Sequence, residues 1–140
     1  MTGVPIHLNL IVAEYLAATV KRGDIAVGTD GVIYYRRRIH ASFPYFKLVD
    51  SDSSESQITY GSPTVKTDDV RKLAHVDDAI YLVLREKLES SLEIRERLGH
   101  KDPPIASIGS LGIYRLSGAC PGSAPCFPGI LAETEEGVRP

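Results

Sequence analysis

Residues 6–22 constrain this chain more than any other stretch. Leu8, Ile11, Val12, Tyr15, Leu16, Thr19 and Val20 return at intervals of three and four, which gathers them on one side of an α-helix. Pro5 suits the first helical turn, where its missing N–H costs nothing, and Gly23 is a natural C-terminal stop. A helix with one apolar face must be covered by another layer, and the following residues read as strands. Residues 24–27 and 32–39 are rich in β-branched and aromatic side chains. Between them, Gly28-Thr29-Asp30-Gly31 offers the positive-φ positions of a tight turn, so a hairpin is expected.

Further along, residues 43–49 predict a third strand after Pro44 and residues 57–60 a short fourth, separated by an acidic, serine-rich loop at 50–56. Residues 67–98 predict a long helix. Leu73, Ile80, Leu84, Leu88 and Leu92 mark its buried stripe, Ala74, Tyr81 and Leu98 flank it, and Thr67 is its cap. Asp68 and Asp69 stand where the helix dipole favours negative charge. Arg85 with Glu89 and Glu93 with Arg97 are four apart on the solvent side. Gly99 closes the helix, and Pro103 and Pro104 follow. His75-Val76-Asp77-Asp78 can itself act as a cap, so a break at 75–78 is the alternative. Residues 105–117 read as a strand weakened or bent by Gly109 and Gly112, and residues 127–132 as a return strand. The acidic tail 133–140 has little reason to fold by itself. These elements predict one α+β domain over residues 1–132, an antiparallel or mixed sheet of four to six strands packed by two main helices.

A length of 140 residues suits one domain, and such a domain buries roughly two thirds of its unfolded surface. The hydrophobic fraction of 43% and charged fraction of 24% are ordinary for globular chains. A net charge of -2 argues against a dedicated nucleic-acid binder but leaves room for a local basic patch. The longest apolar stretch is interrupted by His7, Asn9 and Glu14, so no transmembrane segment is expected. No basic region precedes that stretch as in a signal peptide, which makes the cytoplasm the expected compartment.

The polar residues offer little chemistry. His7, His40, His75 and His100 are scattered, without HxxxH or HExxH spacing. His75 with Asp77 and Asp78 could orient a proton, but residues two and three apart on one helix do not converge, and capping explains them better. No GxSxG elbow is present, and Gly109-Ser110-Leu111-Gly112 lacks both the spacing and the lysine of a phosphate loop. No catalytic residue, metal or cofactor is therefore expected. Cys120 and Cys126 lie in a Pro/Gly loop. A disulfide can close across the five residues between them, whereas a reducing cytoplasm favours free thiols. Pairing outward from the expected turn would bring Lys21 and Arg22 close to Arg36, Arg37 and Arg38, a five-cation patch able to meet phosphates or an acidic surface. The other charged feature is the acidic loop carrying Asp50, Asp52 and Glu55.

The order of these pieces resembles a known family. The helix from Leu8 to Val20, Gly23-Asp24, the proline-led strand Phe43-Pro44-Tyr45-Phe46-Lys47-Leu48-Val49 and the span from Asp77 to Leu88 are similar in sequence order to the tail-terminator and tail-completion (neck) proteins of double-stranded DNA phages. That resemblance implies a non-enzymatic virion subunit, made in the cytoplasm, forming homo-oligomeric rings and meeting neighbouring structural proteins. Head-to-tail packing in a ring needs two different complementary surfaces, for which the basic patch and the acidic loop are candidates. The alternative is a small nucleic-acid-binding or regulatory protein that uses the basic hairpin end. An enzyme with a site assembled from scattered polar residues is the third class.

Overall fold

The computed structural model describes residues 6–29, 39, 41, 43–49 and 63–121. Within them the chain forms an α+β domain around a six-stranded mixed sheet. Its elements are helix α1 (Ile6–Thr19), strands β1 (Ile25–Gly28), β2 (Tyr45–Val49) and β3 (Thr64–Lys66), a 3₁₀ helix (Thr67–Leu73), strand β4 (Ala79–Arg85), helix α2 (Glu89–Arg97), and strands β5 (Ala106–Ile108) and β6 (Leu111–Ser117). The strand order is β3-β2-β1-β4-β6-β5. The first four strands in that order run parallel; β6 pairs antiparallel with β4, and β5 pairs antiparallel with β6.

Strand alternation divides the core between two faces. Val12, Ala13 and Leu16 of α1 cover Ala26, Tyr45, Tyr81, Val83 and Ile113 on one side. Val70 and Leu73 of the 3₁₀ helix, with Ile94 and Leu98 from the end of α2, cover Val27, Phe46, Ile80, Leu82 and Leu84 on the other. The result is three layers, with the sheet in the middle. The buried stripe of α1 is Asn9, Val12, Ala13 and Leu16, whereas Ile11 points outward at 42% exposure. The apolar face is therefore turned slightly from the one its spacing predicts.

Three expectations are corrected. The long helix over 67–98 is instead a 3₁₀ helix, a strand and a short α-helix. Residues 79–84 form an unbroken apolar run because β4 is buried on both faces, between β1 and β6, as central strands with parallel neighbours are. A run of that kind also satisfies helical spacing at Leu73, Ile80 and Leu84, which hid the strand. Leu88 and Leu92, assigned to the same stripe, are 44% and 51% exposed. Arg85 ends a strand, so it shares no helical register with Glu89, and Arg97 pairs with Asp68 at 2.6 Å. Thr67 is a buried first residue of the 3₁₀ helix; Lys66 precedes it and makes no side-chain cap.

The second correction concerns the hairpin on β1. Both hydrogen-bonding edges of β1 are occupied, by β2 and by β4, so β1 is an inner strand and not the first strand of a hairpin; residues 32–38 lie outside the described residues. Third, the bent strand over 105–117 is a hairpin. Ile108 faces Leu111, and Gly109, at φ +59°, takes the left-handed position a two-residue loop demands. The expected strands at 57–60 and 127–132 lie outside the described residues.

Helix α2 ends as Gly99 predicts. Gly99 has φ +70°, its N–H donates to the Glu96 carbonyl and that of His100 to the Arg95 carbonyl, the paired bonds of a Schellman motif. After β6 the chain continues as a short strap. The Gly118 N–H donates to the Asp78 carbonyl, that of Ala119 to Arg71, and that of Cys120 to Ala74, while Val76 donates back to Cys120. These bonds tie residues 118–120 to the 3₁₀ helix and to the segment between it and β4.

Candidate docking cleft

The turn joining α1 to β1 is held by one buried carboxylate. Asp24 is 8% exposed. One of its oxygens accepts the Lys21 backbone N–H at 3.1 Å and the other the Ala79 N–H at 2.9 Å. Its own N–H donates to the Lys21 carbonyl. A buried acid is tolerated when donors satisfy it, and these donors pin the end of α1 to the start of β4. Gly23, at φ +96°, completes the turn. A Cβ there would lie 2.8 Å from the Asp78 carboxylate, so both backbone angle and space call for glycine.

Lys21 and Arg22 stand exposed on this fixed turn. They rim an open cleft of about 640 Å³. One wall is Ala17 of α1 and Val20 just beyond its end, and the other comes from Ile39, Ala41, Phe43 and Pro44 on the approach to β2. Asp24 also lines the cleft, but its two oxygens are engaged by the backbone donors just named. The surface thus offers apolar contact with positive charge at the edge. It lies beside the N-terminal ends of β1 and β2. Small-molecule crevices of parallel sheets sit at the opposite, carboxyl ends of the strands.

Of the basic patch, the structure places Lys21 and Arg22 together on this rim, while Arg36, Arg37 and Arg38 lie outside the described residues. So do Asp50, Asp52 and Glu55 of the acidic loop. Cys120 is disulfide-bonded, in contrast to the free thiols expected of a reducing compartment. Its Sγ sits 3.1 Å from the Lys72 carbonyl oxygen, and Cys126 lies outside the described residues. His75 does not meet Asp77 and Asp78 in a side-chain triad. It forms a backbone bridge with Cys120, and its carbonyl accepts the Asp78 N–H.

A second polar cluster, missed in the sequence, lies between α2 and β6. The Arg95 guanidinium stacks over the Tyr114 ring at 4.3 Å, and His100 meets the same ring edge-on at 5.6 Å. Arg95 also donates to the Asp102 carbonyl at 2.6 Å. Burial lowers the His100 pKa below its ordinary 6.5, and Arg95 and Arg71 push it the same way against Asp102 and a backbone hydrogen bond to Arg115. Burial raises the Tyr114 hydroxyl, opposed by Arg95. Residues from α2, the loop after it and β6 compose this cluster, so no local motif announces it. Among the described residues no three His, Cys, Asp or Glu side chains gather to hold a metal ion, and no helix is long and apolar enough to cross a membrane.

Fold and cleft together define a single-domain α+β protein, with a six-stranded mixed sheet and a basic-rimmed apolar cleft at the N-terminal side of its parallel strands. No family model matches the chain, and no curated protein or solved structure matches it.

Proposed function

We propose that this chain is a non-enzymatic structural or assembly subunit acting through subunit–subunit contacts, with the α1–β1 cleft as one docking surface. The observation that carries the reading is the lining of that cleft: apolar walls, two exposed cations, and an acid committed to backbone amides. Apolar area with charge at the rim is the composition of a protein-docking surface. The narrower form of the reading, a component of a phage virion neck or tail, draws on the sequence order of the α1 helix, the Gly23-Asp24 turn and the proline-led β2. The fourth piece, the span from Asp77 to Leu88, falls in the stretch expected to be a long helix and is mostly strand β4 here, so it does not support the narrower form.

Native mass spectrometry and light scattering test the proposal. The chain is expected to associate with itself or with a partner subunit, and the double variant Lys21→Glu, Arg22→Glu is expected to weaken that association. A chain that stays monomeric at every concentration and beside every candidate partner would remove the reading. Two exposed cations also suit a phosphate backbone, which supports the nucleic-acid alternative. Salt-dependent duplex binding, lost on changing Arg36, Arg37 and Arg38 to Glu, would favour it, and failure to bind duplex at low salt would remove it.

A further inference from the structure

Assembly through a single cleft raises the question of what fills it, and the chemistry of the cleft narrows the answer. A complementary segment needs an apolar anchor for the walls made by Val20, Ile39 and Phe43, and carboxylates close behind it for Lys21 and Arg22. The acidic loop at 50–55 reads Asp-Ser-Asp-Ser-Ser-Glu. It supplies charge and no anchor. The stretch at 130–136 reads Ile-Leu-Ala-Glu-Thr-Glu-Glu. It has two large aliphatic residues followed within three positions by the first of three acids. That stretch lies outside the described residues.

We infer that the cleft receives the Ile130–Glu136 stretch of a second copy of this chain. The inference rests on the assembly reading above. A cleft and a different, complementary segment on the same chain make a heterologous pair of surfaces, and such pairs generate rings or open chains rather than closed two-fold dimers. Ile130 and Leu131 are the apolar anchor the walls of the cleft call for, and Glu133, Glu135 and Glu136 are carboxylates that match its basic rim. Asp24 keeps its negative charge, which the amides of Lys21 and Ala79 offset only in part, but the two cations of the rim outnumber it.

The test uses two full-length variants. One has a reversed rim, Lys21→Glu with Arg22→Glu. The other has a neutralised segment, Glu133→Gln, Glu135→Gln and Glu136→Gln. By native mass spectrometry and light scattering, the parent chain is expected to associate with rising concentration. Each variant alone should associate at least about tenfold more weakly, since several charge pairs are lost at once. Mixed together, the two variants should form a one-to-one complex that grows no further, because only one intact cleft and one intact segment remain between them. Circular dichroism of each variant confirms that both are folded. If the parent associates but the segment variant associates equally well, the inference falls while the assembly reading stands. If the mixture gives no complex, the segment is not exchanged between copies and the inference falls. A parent that never self-associates overturns it as well; a complex with a different partner subunit would then still support the assembly reading.

Discussion

Arg71 is the side chain on which the most separate parts of the described fold converge. Its Nε and one terminal nitrogen both donate to the Leu98 carbonyl, at 3.0 Å and 2.7 Å, and the other donates to the Ser117 carbonyl at 2.8 Å. The 3₁₀ helix is thereby tied to the end of α2 and to the end of β6. Leu98 sits at the C-cap of α2, where carbonyls lack helical partners and a nearby cation is favoured. A hydrogen bond to a charged donor contributes about 1.5–3 kcal/mol. The two bonds sharing the Leu98 oxygen count as roughly one, and the exposed Ser117 bond belongs at the low end. Arg71→Ala should therefore cost about 3 kcal/mol, a large part of the 5–15 kcal/mol that typically holds a domain folded. For a chain of this size that corresponds to a fall in melting temperature of about 10 °C. Arg71→Lys keeps the charge but loses the fork, and should recover about half of the loss. Arg71→Met keeps the aliphatic stem and separates packing from hydrogen bonding. Urea unfolding at constant m-value reads all three. A loss under about 0.5 kcal/mol in Arg71→Ala, or full stability in Arg71→Met, would refute the clamp.

Two further outcomes follow from the same region. A Cβ on Gly118 would lie 2.2 Å from the Ala74 carbonyl oxygen and 2.3 Å from that of His75, so Gly118→Ala should destabilise by about 3 kcal/mol or more in urea unfolding, with a neutral result refuting the close approach of the strap. His100, its pKa lowered chiefly by burial, binds its proton more readily unfolded than folded. Its contribution to stability is therefore complete above about pH 6.5 and is lost as pH falls through the lower folded value. The pH slope of stability in that window should be smaller in His100→Gln than in the parent; identical slopes would show that His100 does not titrate on unfolding.

Much of the fold is legible in the sequence, and the exceptions have physical reasons. Helix α1, strand β2 and the glycine stops at Gly23 and Gly99 follow from local rules, because periodicity, an N-terminal proline and left-handed glycines act on the backbone where they stand. Strand β4 reads as a helix because burial on both faces removes the alternation that distinguishes a strand, leaving a run that fits a helix equally well. The expected hairpin on β1 fails for a different reason. A good turn sequence at Gly28–Gly31 cannot reveal that β1 already has parallel neighbours on both edges, since those neighbours begin some twenty and fifty-five residues away, at Tyr45 and Ala79. Likewise, Arg95, His100 and Tyr114 meet only because α2 and β6 pack against each other.

The cleft shows how a legible residue and an illegible role combine. Lys21 and Arg22 are plain in the sequence as cations after a helix, yet their value as a rim depends on Asp24, one of 18 acidic residues and no different from the others on paper. Because Asp24 binds the amides of both Lys21 and Ala79, the turn that presents the cations is anchored to the central strand. A long basic side chain on a frayed turn loses its conformational freedom when it binds; on an anchored turn the backbone part of that cost has already been met in folding. The buried acid is therefore what lets two surface cations act as a fixed pair, and its position beside the Gly23 turn explains why the positive rim stands over the mouth of the cleft.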